Sequence, residues 1–304
     1  MLRSNLTSLD FAPASSPSTP LAECYRLCRD VARDHSKTFY LSALFLAPPK
    51  RRAVWAIYAF CRTADDIVDR AGADVPSRLA ALDEHERKLF AAVDGDADDP
   101  IFIALADTMQ RFAIPVQAAL DLLRGARMDL TICRYETFEE LREYCDLVAA
   151  TVGLLTTPIL GYERPEALDY GVLLGRAMQL TNILRDVGED ARLGRIYLPL
   201  AELREAGYPE EGIFAGTIDD AWIALMRVQI ERVRELYAAA EPGIALLDPD
   251  ARYTVRLALD LYRKILEAIE ANGYDVFTKR AFVPLRDKLT TAALGVFPIS
   301  RSRT

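Results

Sequence analysis

From residue 21 nearly to its end, the chain places apolar side chains at intervals of three and four, the period of a helix packed on one face. Runs of alternating valine, isoleucine and threonine between turns, the mark of strands, are missing. Proline and glycine punctuate the pattern. Thr19-Pro20 opens a helix over 21–33, and the polar-aromatic break from His35 to Tyr40 precedes a short apolar helix to residue 46. Pro48-Pro49 opens a long helix that stops at Gly72; Pro76 opens 77–93, Asp99-Pro100 opens 100–112, and Pro115 starts one reaching 133. Thr137-Phe-Glu-Glu140 is a capping box for an apolar helix to 160, ended by Gly161. Arg164-Pro165 leads into another long helix, broken by the loop 193–199. Helices over 218–240, 251–271 (capped by Asp248 before Pro249) and 278–293 complete an all-α chain of about ten or more helices.

Two of these helices carry polar groups inside apolar runs. At 100° per residue, Tyr58, Arg62, Asp65 and Asp69 occupy a sector about 60° wide, and Gln179, Asn182, Asp186 and Asp190 one about 80° wide. Each helix therefore presents two carboxylates at i and i+4 on one narrow face. If the faces oppose each other, they make an oxygen-only cage suited to a hard cation such as Mg2+. One such pair alone is common on a solvated face. Here the flanks are apolar around most of the helix, and a buried carboxylate pair is costly unless paired or metal-bound. Gly188 costs about 1 kcal/mol relative to Ala inside a helix, and close approach of a ligand is one reason to keep it.

With 304 residues and 51% hydrophobic content, the chain can bury a large core. No linker or shift in composition divides it after residue 20, so one domain over 21–293 is expected, between a disordered tail at 1–20 and a short tail at 294–304. A net charge of -8 argues against a nucleic-acid partner but not against a diphosphate bridged to carboxylates by a divalent metal. The five cysteines form no Cys-x-x-Cys and read as reduced thiols, mostly buried, in a cytoplasmic protein. The start lacks a secretory signal, and the apolar run 148–160 is too short to span a bilayer.

Other chemistries drop out. Two histidines cannot build a His-rich zinc site, no Glu-x-x-His marks a di-iron bundle, and neither a nucleophile elbow nor a dinucleotide fingerprint is present. His85, within Asp-Glu-His-Glu-Arg, reads as a solvated surface residue; His35 is a capping, core or substrate-binding residue. Arg62, Arg185, Arg195 and Arg280 lie on or beside the acidic faces or near helix ends. Such arginines commonly pair with surface acids, yet a diphosphate leaving group needs several of them. Phe39, Tyr40, Trp55, Tyr58, Tyr144, Tyr197 and Tyr262 are candidates for an aromatic wall whose faces stabilise a cation.

The motifs Asp34-His-Ser-Lys-Thr-Phe39, Tyr58-x-x-x-Arg62-x-x-Asp-Asp-x-x-Asp69, Tyr144-Cys-x-x-Val-Ala-x-Thr-Val-Gly153, Gln179-x-x-Asn-Ile-Leu-Arg-Asp-Val-Gly-Glu-Asp190 and Gly194-Arg-Ile-Tyr-Leu-Pro199 occur in this order. In residue type and spacing the chain resembles the squalene/phytoene synthase family of head-to-head prenyl transferases, from about residue 21 to about 290. The resemblance implies an all-α isoprenoid-synthase fold with a central cavity between the two Asp-rich helices. It implies Mg2+, with Mn2+ as a substitute, on Asp65, Asp69, Asp186 and Asp190, supported by Gln179 and Asn182. It assigns diphosphate and substrate contacts to Ser36, Lys37, Phe39, Arg62, Gln179, Arg185, Arg195, Tyr262 and Arg280, and the reacting centre to Tyr58, Arg62, Tyr144, Asn182 and Tyr197. Asp66 is a departure, standing where the phytoene-forming members often carry Glu.

The implied reaction ionises one prenyl diphosphate to an allylic cation and traps it with the double bond of a second. Proton loss leaves a cyclopropylcarbinyl diphosphate, which ionises and rearranges to a linear hydrocarbon. The sequence 194–199 and Thr38-Phe39-Tyr40 look more like the branch that joins two geranylgeranyl diphosphates to phytoene in carotenoid biosynthesis, with no NADPH. The small Ser42 and Ala43, about a turn beyond Phe39, leave room for a C20 tail. A C30 synthase using farnesyl diphosphate and a non-catalytic assembly protein of the same fold are the alternatives. A hydrocarbon product implies transient peripheral contact with the inner face of a membrane.

Overall fold

The computed structural model describes residues 20–284, 286–288 and 290–291. Among them the regular elements are helices: α1 (Leu21–His35), α2 (Lys37–Ala43), α3 (Pro48–Val68), α4 (Val75–Val93), α5 (Pro100–Phe112), α6 (Val116–Thr131) and α7 (Phe138–Cys145). A π-helical turn (Asp146–Ala150) joins α7 to α8 (Thr151–Leu160). Then come α9 (Glu166–Arg192), α10 (Leu200–Glu205), α11 (Glu210–Ala215), α12 (Asp220–Ala240), a 3-10 turn (Glu241–Leu246) and α13 (Pro249–Ala271). Extended pairing is limited to two isolated bridges, Arg134 with Ile196 and Tyr162 with Leu247.

Local chemistry sets the starts. The side chains of Asp74, Asp99, Thr137 and Asp219 each accept a backbone N–H from the first turn of the helix they precede, and proline occupies the first turn of α3, α4, α5 and α13. Asp248 stands at the N-cap of α13 as expected, but its side chain caps nothing there. It binds Lys50 instead, whose Nζ also donates to Asp250 and to the carbonyl of Leu160 at 2.8 Å.

The helices form two hydrophobic clusters. One gathers α1 to α6 and α8 around Trp55, Phe60, Leu105 and Leu123; the other gathers α7 and α9 to α13 around Tyr208, Trp222, Tyr237 and Leu266. The two Asp-rich helices are split between them, α3 in the first and α9 in the second. The continuous run from α7 through the π turn to α8 crosses from one cluster to the other. It crosses α9 at close range. A Cβ on Gly175 would lie 2.4 Å from the Ala149 carbonyl oxygen, and one on Gly153 would lie 2.3 Å from that of Gly171, so glycine permits the backbones to touch.

Several expectations shift. The break after α1 narrows to Ser36, because α2 begins at Lys37 and takes in Thr38 to Tyr40. α10, α11 and the 3-10 turn lie in stretches to which periodicity assigned no element; six residues are too few for a helical period to register. Residues 278–284 are irregular rather than helical, because Asp275 accepts the N–H groups of Phe277 and Thr278 in a turn and Pro284 restarts the helix seen at 286–288 and 290–291. His85 is buried, not solvated: it stacks on Phe60 at 5.1 Å and meets Phe102 edge-on at 4.8 Å. Burial pushes its imidazole down to about 4. Thr19 and both predicted tails lie outside the described residues, except for Pro20. Among those residues, all five cysteines are free, with Cys61 half-buried and Cys133 exposed. One stretch, Phe138–Leu160, is long and apolar enough to cross a membrane by length and composition alone, and half of its apolar window is buried inside the protein.

Candidate active site

Three helix C-termini meet at one place. Asp65 lies in the last turn of α3 and Asp69 is its C-cap; Asp190 lies in the last turn of α9 with Asp186 one turn before; Asp129 lies in the last turn of α6. Asp129 is close enough to raise Asp65 and Asp190 and to be raised in turn by Asp69, so it stands between the two acidic motifs. A helix C-terminus carries partial negative charge, and a carboxylate there is worth roughly 0.3–1 kcal/mol in the wrong direction. The arrangement therefore concentrates negative potential that a cation would relieve.

The titration of the carboxyls reflects this. Asp65 is pushed up to about 7 by the surrounding protein, against Arg62 and with help from Asp69, Asp129 and Asp66. By surface area Asp65 is nonetheless exposed, so it is a group set deep in a recess that water still enters. Asp190 is pushed up to about 7 by burial and by Asp186, with Arg195 opposing. Asp129 is raised by burial, while the hydroxyls of Tyr144 and Tyr197 and the charge of Arg195 hold it down.

On the α3 wall, the Ser36 side chain caps α2 by accepting the N–H of Phe39 at 3.4 Å and also bonds the phenol of Tyr58. Phe39 stacks on Tyr58 at 4.8 Å. Arg62 pairs with Asp66 rather than with Asp65 or Asp69, and its buried Nε has no partner. Lys37 is exposed at the first turn of α2.

On the α9 wall, Arg185 forms a two-point pair with Asp186 at 2.8 and 2.5 Å. Arg280 arrives from the loop after α13 and reaches the same carboxylate at 3.1 Å and Glu189 at 3.2 Å. Tyr262 of α13 lies near Arg185. Asn182 reaches Gln179 only at 3.5 Å. Gly188 serves packing rather than a ligand, because a Cβ there would lie 2.6 Å from the Cα of Phe277.

Between the walls sits a tyrosine cluster. Tyr144 and Tyr197 stack at 5.2 Å, and Tyr135 stands 5.5 and 5.8 Å from them. Tyr197 donates its O–H to Asp129 at 2.9 Å. Ile183, Asp190, Arg195 and Tyr197 share the lining of a small void of about 10 Å³. Sequence reasoning missed Asp129 and Tyr135. The signal for Asp129 was an acid in a helix's last turn, where basic residues are favoured. For Tyr135, in a loop between two helices, no pattern distinguished it.

The four motif carboxylates do not close into a cage, and among the described residues no three ligating side chains cluster closely enough to do so. Arg185 and Arg280 pair with Asp186, whose charge still helps to raise Asp190. That still fits Mg2+, which keeps several waters and takes only one or two carboxylates together with substrate phosphate oxygens. The Nε of Arg62 has no partner, and Arg195 is half-buried beside Asp190 and Asp129.

Comparison with known proteins points the same way. The family model described as squalene/phytoene synthase matches residues 32–287. A 15-cis-phytoene synthase of Synechococcus elongatus is 46% identical over 288 residues, covering 91% of this chain and 93% of that one. One of Synechocystis sp. is 44% identical over 292 residues, covering 91% and 86%. Among solved structures, a dehydrosqualene synthase in complex with ligand superposes with a TM-score of 0.85 at 32% identity, covering 91% of this chain and 96% of that one.

Proposed function

This chain belongs to the squalene/phytoene synthase family, and on that premise we propose that it joins two geranylgeranyl diphosphates head to head, through prephytoene diphosphate, to phytoene in carotenoid biosynthesis. The observation that carries the reading is the meeting of two acidic helix ends, ringed by arginines, over a cluster of tyrosine faces. We read residues 21–293 as the one domain that does this.

Asp65, Asp69, Asp186 and Asp190 would hold Mg2+, or Mn2+ in its place; when bound, the metal supplies positive charge to the departing diphosphate. Arg62, Arg185, Arg195 and Arg280, with Ser36 and Lys37, bind the diphosphate oxygens and disperse the rest of their charge. Gln179 and Asn182 orient the second cluster. Phe39, Tyr58, Tyr144 and Tyr197 offer ring faces to the allylic and cyclopropylcarbinyl cations, and Tyr262 backs Arg185. Water must be kept from those cations, and apolar packing around the tyrosines does this. No histidine is needed as a proton shuttle: His85 is buried against Phe60 and Phe102, and His35 is exposed at the end of α1 beside Ser36 and Lys37.

Phytoene forms by proton loss rather than hydride addition, so the reading needs no NADPH. The product is a C40 hydrocarbon that leaves into lipid, which implies transient contact with a membrane surface.

The test is product extraction after incubating the purified chain with Mg2+ and geranylgeranyl diphosphate, without NADPH, beside a parallel incubation with farnesyl diphosphate. C40 hydrocarbon from the first is the expected result. C30 product alone would make it a dehydrosqualene or squalene synthase, and no turnover of either would favour a non-catalytic assembly role.

A further inference from the structure

We infer that Asp129 is a positioning residue for this reaction, turning the hydroxyl protons of Tyr144 and Tyr197 away from the reacting carbons. The inference rests on the prenyl-transfer reading above. Asp129 belongs to neither acidic motif and projects from a third helix, α6. Tyr197 donates to it at 2.9 Å, and the Tyr144 hydroxyl lies close enough to interact both with the same carboxylate and with the Tyr197 hydroxyl. The two rings stack at 5.2 Å, so one anchor fixes both. Around them, Arg195, Asp65, Asp69 and Asp190 are the charged groups that face Asp129.

A phenol is a donor and an acceptor at once. Left to rotate beside a cation, it can present either its O–H or its lone pairs. An O–H already donated to a carboxylate leaves only lone pairs and the ring face on the other side, the negative ends that stabilise a carbocation. Preorganising those dipoles before the cation forms avoids their reorganisation during the reaction. The neighbouring Tyr135 shows the contrast: its ring packs on both tyrosines, yet its buried hydroxyl has no partner. Location also argues for function. A carboxylate in the last turn of α6 opposes the helix dipole, and a residue kept only for stability would be better placed elsewhere.

The experiment uses the full chain with Mg2+ and geranylgeranyl diphosphate, comparing Asp129→Asn in the native background and in the Tyr144→Phe/Tyr197→Phe background. In the native background kcat should fall about 100-fold or more while KM stays within about threefold. In the double-Phe background the same change should cost less than about fivefold, because the hydroxyls it positions are gone. Equal losses in both backgrounds, a change in KM alone, or a native-background kcat within threefold of the unmodified chain would overturn the proposal. If Asp129→Asn fails to fold, Asp129→Glu decides. Retaining both acceptor oxygens, it should keep at least about a tenth of kcat, and a folded Glu variant with no turnover would overturn the idea. An unmodified chain that makes no C40 product would overturn the prenyl-transfer reading itself and this proposal with it.

Discussion

Gly188 of α9 lies so close to Phe277 that a methyl group on it would come within 2.6 Å of the Phe277 Cα and 2.7 Å of the Val276 carbonyl oxygen. The contact presses the turn after α13 against the second acidic motif. Phe277 is held from the other side by Trp222 at 4.9 Å, and three residues on, Arg280 reaches Asp186. In an unconstrained helix Gly→Ala is favourable by up to about 1 kcal/mol. Here the sign should reverse. Gly188→Ala is expected to cost about 1–3 kcal/mol in denaturant unfolding, as overpacking does. It should also raise KM for the diphosphate substrate by displacing Arg280. A variant as stable as the native chain would show that the turn yields freely.

Asp65 tests enzyme against scaffold. It has little structural work among the described residues, since its neighbour Asp66 takes the Arg62 ion pair. Asp65→Ala should leave helical content unchanged and lower kcat/KM by about a thousandfold or more, equivalent to about 4 kcal/mol of transition-state stabilisation. A non-catalytic assembly protein would keep its cellular role after this change.

The acidity of Asp190 links stability to pH with a definite sign. In the folded chain its carboxyl is raised to about 7, whereas unfolded it loses its proton near the ordinary value of about 4. Between those values the folded state binds more protons, so the contribution of this group to stability falls as pH rises from about 4 to about 7. Asp190→Asn, which mimics the protonated form, should therefore be more stable than the native chain at pH 8 by on the order of 1–2 kcal/mol, and no more stable at pH 4. Thermal unfolding at both pH values without metal checks this. Added Mg2+ with inorganic diphosphate should then raise Tm more for the native chain than for the variant.

Lys50 is a stability test away from the site. Its ammonium joins the start of α3, the end of α8 and the start of α13, three segments that meet at the edge of the first hydrophobic cluster. Lys50→Met removes three acceptors' common donor and leaves Asp248 and Asp250 facing one another. The expected loss is about 2–3 kcal/mol, at the lower edge of that for a broken buried pair because both acids remain part-exposed.

Much of this was legible along the chain because it depends on local rules. Proline and Asp at 99–100 set the start of α5, and the i, i+4 acids set the two motif faces. What escaped depends on partners distant in sequence. His85 sits among Asp, Glu and Arg, yet shares a helix face with Leu82 and Leu89, and that face turns inward onto Phe60. Gly188 suggested room for a ligand until Phe277 filled it. Periodicity places the motif carboxylates on a face but says nothing of Arg185 and Arg280, which pair with Asp186. Asp129 needed the meeting of α6 with both motifs, which no single-helix pattern contains.

Ala43 is the position from which chain length should be tunable. It is buried at the end of α2, one turn beyond Phe39, which stacks on Tyr58 at the α3 wall. Residues four apart on a helix share a face, so a ring at 43 would extend from the Phe39–Tyr58 pair into the space a long tail needs. Ala43→Phe should lower the ratio of kcat/KM for geranylgeranyl over farnesyl diphosphate by about tenfold or more, comparable to the 1–3 kcal/mol that a pocket extracts for misfitting methylenes. Overpacking alone would depress both substrates together, so the ratio separates the two effects. An unchanged ratio would place the end of the tail elsewhere, and Ser42, equally small and buried beside it, would be excluded by the same experiment on Ser42→Phe.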